Sequence, residues 1–278
     1  MEEYTYYYDS LIKSDCYWFS DLWLMCADLM KELPMQTDDF YLDAIKKGGR
    51  NLNSLSQMTN YLGYFGRFYW FLGSYPFEDL IPYEFFEKKE INIVDYGCGQ
   101  AIWSMLYSHW LRQMCHEQIK NKITLIEPSE LLLKRAVLHA SVFYPGTRVI
   151  TVNKKLDDLT NDDIVCDDNI PTLHILADVL ERQDFDMDRL AGMIKNSIKG
   201  MNRFLCVQLY FGNYQEDNRV RKFASYFTDK YDYGCIPQKD MDLAINENPI
   251  LKEVTCHYIT FTVGDHCCPL KNRYSSLK

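Results

Sequence analysis

Asp95, Gly97, Gly99 and Glu127 are the residues whose types and spacing could do chemistry first. The run Ile91-Asn92-Ile93-Val94-Asp95-Tyr96-Gly97-Cys98-Gly99-Gln100-Ala101 closes an apolar stretch with an acid and then with two glycines one residue apart. Glycine lacks a Cβ, so it takes left-handed backbone cheaply and lets a ligand lie against bare main chain. Further on, Lys122-Ile123-Thr124-Leu125-Ile126-Glu127-Pro128-Ser129 ends a second apolar stretch in Glu127. An acid at that place can accept hydrogen bonds from both hydroxyls of a ribose. The two runs predict a site for a cofactor that carries a nucleoside.

Elements must hold these residues together. Residues 91 to 94 read as a central parallel strand covered on both faces. From Ala101 to about Lys120 the spacing of Ile102, Met105, Leu106, Trp110 and Met114 predicts a helix with one face on a sheet. A new helix opens at Ser129, a strand runs through Arg148-Val149-Ile150-Thr151-Val152, and Pro171-Thr172-Leu173-His174-Ile175-Leu176-Ala177 is a fourth strand. His174 inside it reads as a hydrogen-bonded core histidine. Helices over 186 to 199 and 219 to 231, a strand over 202 to 211, a last strand over 252 to 263 and a short partner over 233 to 238 complete the pattern. A nicotinamide fingerprint wants a small residue where this chain has Ile102, so a dinucleotide site is disfavoured.

The turn D-x-G-x-G-x-A after one strand, with the next strand ending in Glu, resembles the class I S-adenosylmethionine-dependent methyltransferases over roughly residues 90 to 265. The resemblance implies an α/β, Rossmann-like, mostly parallel sheet with an antiparallel last strand and helices on both faces. It implies S-adenosylmethionine as cofactor. Asp95, Gly97, Cys98, Gly99 and Ala101 would then form the loop that passes its methionine part, with Ala101 standing where the family has a third glycine. Glu127 and Pro128 would meet the ribose. Leu156 would flank the adenine and Asp157 would accept from its exocyclic amine, the alternative for Asp157 being a solvated acidic loop. Ala177 would line the cofactor at the end of the fourth strand.

Methyl transfer is an in-line displacement from an already activated sulfonium, so the protein supplies alignment, exclusion of water and, for a protic acceptor, a base. Asp178 is the first candidate for that base and Glu181 the second, against helix capping and surface charge as the plain alternative. The Asn/Asp-Pro-Pro-aromatic tetrapeptide that marks many amino methyltransferases of adenine and glutamine is absent after the fourth strand, which argues against that kind of acceptor.

Residues 1 to 88 form a helical N-terminal extension, a substrate cap or lid, ahead of a cofactor-binding domain over 89 to 278. The extension holds more than half of the chain's aromatic residues. Helices are expected over 9 to 32, 38 to 47 and 54 to 73, the first stopping before Pro34. The run from Tyr61 to Phe71 is apolar on too many sides for a solvent-facing helix. It either packs on the core or offers an aromatic wall to a cation, with Tyr64, Tyr69 and Trp70 as the candidate substrate-binding residues.

With 278 residues and 47% hydrophobic content the chain can bury one full α/β core and a small cap. A net charge of -9 repels phosphate backbones, so a small-molecule or protein acceptor is favoured over nucleic acid. The basic clusters Lys46-Lys47-Gly48-Gly49-Arg50 and Arg219-Val220-Arg221-Lys222 read as solvated faces, the first also as a loop over the site. No apolar run is long enough for a membrane span, and a cytoplasmic location is expected. The 10 cysteines are scattered singly and fit reduced thiols better than a disulfide framework. Cys256-His257 with His266-Cys267-Cys268 lacks CxxC spacing, and neighbours on a strand face opposite ways, so no metal is expected. Three functions stand: a methyltransferase, a non-catalytic cofactor-binding or scaffolding protein with the same fold, and an enzyme using the sulfonium for other chemistry. The sequence does not fix the oligomeric state.

Overall fold

The computed structural model describes residues 2–32, 52–80, 90–116, 118–211, 219–239 and 253–264. Seven strands lie in one sheet: β1 Glu90–Tyr96, β2 Ile119–Ile126, β3 Arg148–Val152, β4 Thr172–Ala177, β5 Asn202–Phe211, β6 Asp232–Lys239 and β7 Glu253–Val263. Their order is β3-β2-β1-β4-β5-β7-β6. The first five pair in parallel, β7 runs antiparallel to β5, and β6 runs antiparallel to β7. This is the α/β, mostly parallel sheet with an antiparallel last strand that the resemblance implied, and β6 is the partner strand expected over 233 to 238.

The helices among the described residues are α1 Glu2–Asp15, α2 Phe19–Glu32, α3 Leu55–Leu80, α4 Ile102–Gln113, α5 Glu130–Phe143, α6 Met187–Ser197 and α7 Arg219–Ser225. Alternate side chains of each strand feed two cores, one per face, as a period of two requires. On one face Ile91, Ile93, Ile123, Leu125, Ile175 and Leu205 pack with α4, α5 and the N-terminal helices. On the other, Val94, Tyr96, Ile126, Leu176, Phe204 and Cys206 pack with Leu190 and Ile194 of α6 and Phe223 of α7. No helix among the described residues is long and apolar enough to cross a membrane.

The N-terminal helices share the first of these cores rather than hanging from it. Phe65, Phe68, Leu72 and Phe77 of α3 are fully buried, and each such side chain contributes roughly 1.5–3 kcal/mol on leaving water. Close approach of α2 explains the aromatic run. A Cβ on Gly63 would lie 2.8 Å from the Cys26 carbonyl carbon, and one on Gly66 would collide with Trp23.

Several boundaries differ from expectation. The single helix expected over 9 to 32 is two, because the Asp21 carboxylate accepts from the backbone nitrogens of Tyr17 and Trp18 at 3.0 and 2.7 Å and starts a new helix. The helix expected to end at 73 continues through Pro76 to Leu80. Pro76 leaves one backbone bond unmade, but Phe77 beside it packs on the rings of Trp103, Tyr107 and Trp110. Helix α4 stops at Gln113 rather than near Lys120, where Cys115 turns left-handed at φ 52°. Helix α7 is shorter than 219 to 231, ending at Ser225. The helix expected over 38 to 47, the cluster 46 to 50 and residues 266 to 268 lie outside the described residues.

Candidate functional site

Because β1 is flanked by β2 on one side and β4 on the other, successive connections leave it in opposite directions. In an open parallel sheet, the carboxyl end of the strand at such a reversal is the general place for a ligand. The loops at that end continue the sheet's ladder for one or two more residues. Cys98 N donates to Ile126 O at 3.0 Å, Glu127 N to Val152 O at 3.1 Å and Asp178 N to Val207 O at 2.9 Å. The tips of β1, β2 and β4 are thus fixed in register before any side chain is considered.

The backbone of the first loop is left-handed at every second residue: Gly97 at φ 62°, Gly99 at 53° and Ala101 at 63°. Ala101 N donates to Cys98 O at 2.7 Å and closes the turn onto α4. A Cβ at Gly97 would touch Val179 at 3.1 Å, so that glycine serves packing. At Gly99 a Cβ would meet nothing within 4 Å. The sequence required a bend with bare main chain facing a ligand, and open space lies over Gly99.

Glu127 closes the other side. One of its carboxylate oxygens, Oε2, accepts from Gly99 N at 3.1 Å, and Oε1 accepts from Ser129 N at 2.9 Å. Burial raises its pKa, while the two backbone N–H groups and the nearby Arg182 charge pull the other way. Each oxygen still has a lone pair for a further donor, which suits the hydroxyls of a ribose. Asn153, which the sequence reading passed over, donates from Nδ2 to the carbonyls of Glu127 and Pro128, both at 2.9 Å, and so fixes the loop that carries the acid.

The remaining cofactor candidates are distributed unevenly. Asp95 is buried at the end of β1 and accepts from Ser104 Oγ at 2.7 Å, so this oxygen is used in holding β1 to α4. Burial pushes its carboxyl up to about 7, against the pull of Ser104. The Cys98 thiol is buried, which pushes it well above the usual thiol range. Leu156 and Asp157 share a short 3-10 turn, Leu156–Asp158, after β3. Asp157 accepts from Asp186 N at 2.9 Å and ties that turn to the start of α6. Pro128 is exposed and Ala177 is buried at the end of β4.

Asp178 follows Ala177 with φ 54°, an uncommon conformation for a residue with a Cβ. Its Oδ1 accepts from Leu209 N at 2.8 Å, and its Oδ2 accepts from Tyr69 Oη at 3.3 Å and Trp103 Nε1 at 3.4 Å. The Tyr61 and Tyr69 hydroxyls lie 2.7 Å apart. Asp178 caps no helix among the described residues; the cap of α6 is Asp186, which accepts from Arg189 N at 3.0 Å. Glu181 is half-buried, and its charge helps to raise the pKa of the Tyr61 hydroxyl.

Of the three aromatic candidates only Tyr69 reaches Asp178. Trp70 points elsewhere, its Nε1 lying 3.1 Å from His109 Nε2 on α4. His109 lies six residues beyond Trp103, roughly 9 Å along the helix axis. Tyr64 packs edge-on against Phe65 with centroids 4.8 Å apart. Tyr61 and Trp103, neither singled out in the sequence, are the aromatic side chains that join Tyr69 here, Tyr61 at its hydroxyl and Trp103 at Asp178. A helical-face argument could have found Tyr61, which lies eight residues, slightly over two turns, from Tyr69. Trp103 carries no such signal, since it joins Tyr69 only through the packing of α3 on α4.

His174 is buried between Tyr96 and Phe204, bonded to the Tyr96 hydroxyl at 3.0 Å and to Asn202 Oδ1 at 3.1 Å. Burial lowers its pKa to about 4, so it is a neutral core residue. Cys256 packs in the core while His257 bonds Tyr233 at 2.6 Å on the other face of β7. Among the described residues no three His, Cys, Asp or Glu side chains are grouped to hold a metal ion.

No protein-family model matches the chain, and no curated protein matches it. Solved structures do. A Leishmania major S-adenosylmethionine-dependent methyltransferase is 12% identical with a TM-score of 0.43, over 84% of this chain and 90% of that one. A precorrin-6y C5,15-methyltransferase from Geobacter metallireducens is 14% identical with a TM-score of 0.41, over 84% of this chain and 100% of that one. An Aquifex aeolicus S-adenosylmethionine-dependent methyltransferase is 11% identical with a TM-score of 0.39, over 66% of this chain and 88% of that one. Likenesses this loose assign no residue and no acceptor.

Proposed function

We propose that the chain is an S-adenosylmethionine-dependent methyltransferase acting on a small molecule or a protein. What supports the reading most directly is the pairing of Glu127 with the glycine bend: a carboxylate held 3.1 Å from Gly99 N, beside a main-chain surface that a Cβ would enter freely. Those residues fit a nucleoside sulfonium. Glu127 would accept from its ribose hydroxyls, and the main chain of Gly97, Cys98, Gly99 and Ala101 would run along its amino-acid part. Pro128, Leu156 and Asp157 would border the adenine, with Asp157 giving the oxygen that Asp186 N leaves unused. Ala177, small and at the tip of β4, would leave room for the reacting methyl group.

When bound, this cofactor supplies an electrophilic methyl carbon. The chain's own work is to orient the acceptor and, where it has a proton, to receive it, a task for Asp178 before Glu181. Net charge supports a small-molecule or protein acceptor over nucleic acid, since -9 opposes any polyanion. Calorimetry with S-adenosylhomocysteine tests the reading. Binding should weaken in Glu127→Ala by the loss of charge-assisted hydrogen bonds, about 1.5–3 kcal/mol or roughly tenfold to more than a hundredfold. Equal affinity in both proteins, or none in either, would refute it.

A further inference from the structure

Gln100 stands between two left-handed residues of the bend, Gly99 and Ala101. The peptide unit joining Gln100 to Ala101 is planar, so its carbonyl and its N–H turn together. Both ends of it are held. Ala101 N donates to Cys98 O at 2.7 Å, and the Gln100 carbonyl lies 2.8 Å from His139 Nδ1 on α5. A carbonyl only accepts, so Nδ1 carries the proton and the lone pair of the neutral imidazole is on Nε2. That lone pair accepts from the Tyr8 hydroxyl of α1 at 2.9 Å. His139 is fully buried, and burial, reinforced by the Arg135 charge, pushes its pKa down to about 3. The ring therefore stays neutral, in this one tautomer, across the ordinary pH range.

Of the three left-handed positions in the bend, Ala101 alone carries a Cβ. Such a conformation persists only where the surroundings enforce it. Turning the Gln100 to Ala101 peptide over is the local motion that returns Ala101 to the negative φ that residues with a Cβ prefer, and it breaks both bonds at once. Cys98 belongs to the same bend and can shift with it, whereas His139 is anchored in a helix. That helix meets Tyr8 at two places, across 131 residues of sequence. Arg135, one helical turn before His139, lies over the Tyr8 ring with Cζ 3.5 Å from its centroid, and His139 takes the hydroxyl. The Gln100 side chain is tied as well, Nε2 donating to Met58 O of α3 at 3.1 Å.

We propose that His139 and Tyr8 are positioning residues for the glycine bend: His139 locks the Gln100 to Ala101 peptide, Tyr8 locks His139, and the docking of α1 thereby keeps the bend in its ligand-ready shape. The lock acts in the free protein, whereas its effect on affinity rests on the methyl-transfer reading. With the Gln100 carbonyl released, relief at Ala101 favours the turned-over peptide. A ligand then binds only the fraction of molecules that keep the original bend, and its apparent affinity falls by that fraction. The N-terminal extension is in this way coupled to the cofactor loop from behind, through a histidine that touches no ligand.

The experiment follows native-state hydrogen exchange of the Ala101 amide by NMR, with amides of β1 and β4 reporting global opening, and binding of S-adenosylhomocysteine by calorimetry. His139→Leu keeps the bulk and removes the donor. His139→Asn carries an amide nitrogen on Cγ, as Nδ1 is, and so keeps a donor for the Gln100 carbonyl. Tyr8→Phe keeps the ring under Arg135 and loses only the hydroxyl. Relative to the strand amides, Ala101 should exchange about tenfold faster or more in His139→Leu and about threefold faster or more in Tyr8→Phe, with His139→Asn slower than His139→Leu. Affinity for S-adenosylhomocysteine should fall about threefold or more in His139→Leu. Unchanged exchange at Ala101 in folded His139→Leu overturns the proposal. Equal quickening in His139→Leu and His139→Asn also overturns it, since the histidine would then act by its ring packing alone, and an unchanged Tyr8→Phe overturns the link to α1. If the wild type binds no S-adenosylhomocysteine, the methyl-transfer reading falls with the effect on affinity, and exchange at Ala101 still decides the lock.

Discussion

Gly99→Ala adds a single methyl group to the one position of the loop where nothing stands in its way. The Cβ would meet no atom within 4 Å, so the cost to the fold is that of a left-handed L-residue at φ 53°, about 1–2 kcal/mol. The chain already carries that strain at Ala101, two residues on, at φ 63°. For a chain of this size the melting temperature should fall by about 2–4 °C per kcal/mol. Ligand binding should suffer more than stability, because the new methyl group occupies the surface on which the cofactor would lie. A loss of at least about tenfold, 1.4 kcal/mol, is expected.

Two other glycines separate strain from obstruction. Gly146, in the turn between α5 and β3, is also left-handed at φ 78° with nothing within 4 Å of a Cβ. Gly146→Ala should therefore destabilise the fold about as much as Gly99→Ala while leaving affinity for S-adenosylhomocysteine unchanged. Gly97→Ala combines the same backbone penalty with a contact at 3.1 Å to Val179 and should be the least stable of the three. The assay is thermal unfolding and calorimetric titration on all three proteins. If Gly99→Ala and Gly146→Ala bind alike, the space over Gly99 is not where the ligand lies.

Asn153→Ala removes both hydrogen bonds that hold the Glu127 and Pro128 carbonyls; at about 0.5–1.5 kcal/mol each, stability and affinity should both drop, and a variant that binds like the wild type in titration would release Asn153 from that role. Asp95 keeps its proton up to about 7 in the fold but only to about 3.9 in the unfolded chain. The native state therefore binds more protons in that window, and stability falls as pH rises through it. Asp95→Asn, which can still accept from Ser104, should be more stable than the wild type in urea melts at about pH 8, with the gap narrowing by about pH 5; a gap that widens on acidification would contradict this. Arg135 is buried against the Tyr8 ring, its carbon Cζ 3.5 Å from the ring centroid, and among the described residues Nη1 and Nη2 have no hydrogen-bond partner. Arg135→Met should stabilise the protein by about 1 kcal/mol or more, since burying a charge without a paired anion costs more than its packing returns. A marked loss of stability would mean that the guanidinium is compensated after all.

The pairing of the glycine bend with Glu127 was legible because it is written locally. Gly99 and Glu127 are 28 residues apart and belong to one strand-helix-strand unit, and the right-handed crossover of such a unit leaves few ways to place its two strand tips. The N-terminal helices were less legible for opposite reasons. At Asp21 a local signal was present but hidden, since periodicity carries on through Trp18, Phe19 and Leu22 while the carboxylate caps a fresh helix behind them. At Pro76 the local signal was present and overruled. A proline within a helix costs about 3 kcal/mol, which burial of Phe77 among three rings is large enough to offset.

The surroundings of Asp178 depend on contacts that no local pattern encodes. Asp178 meets Leu209 across 31 residues, Trp103 across 75 and Tyr69 across 109. A heptad or a strand alternation places a side chain on a face, but which face meets which is settled by packing, here by α3 lying on both α2 and α4. That is why Tyr69 and Trp70, neighbours in sequence, part company: about 100° of helical rotation sends one to Asp178 and the other to His109. The same division has a functional consequence. The shape of the glycine bend is set mainly by loops at the ends of β1 and β2, whereas the hydrogen bonding of Asp178 is set in part by a helix docked from the far end of the sequence. Substitutions along α3 can thus alter the hydrogen bonding of Asp178 while the glycine bend keeps its shape.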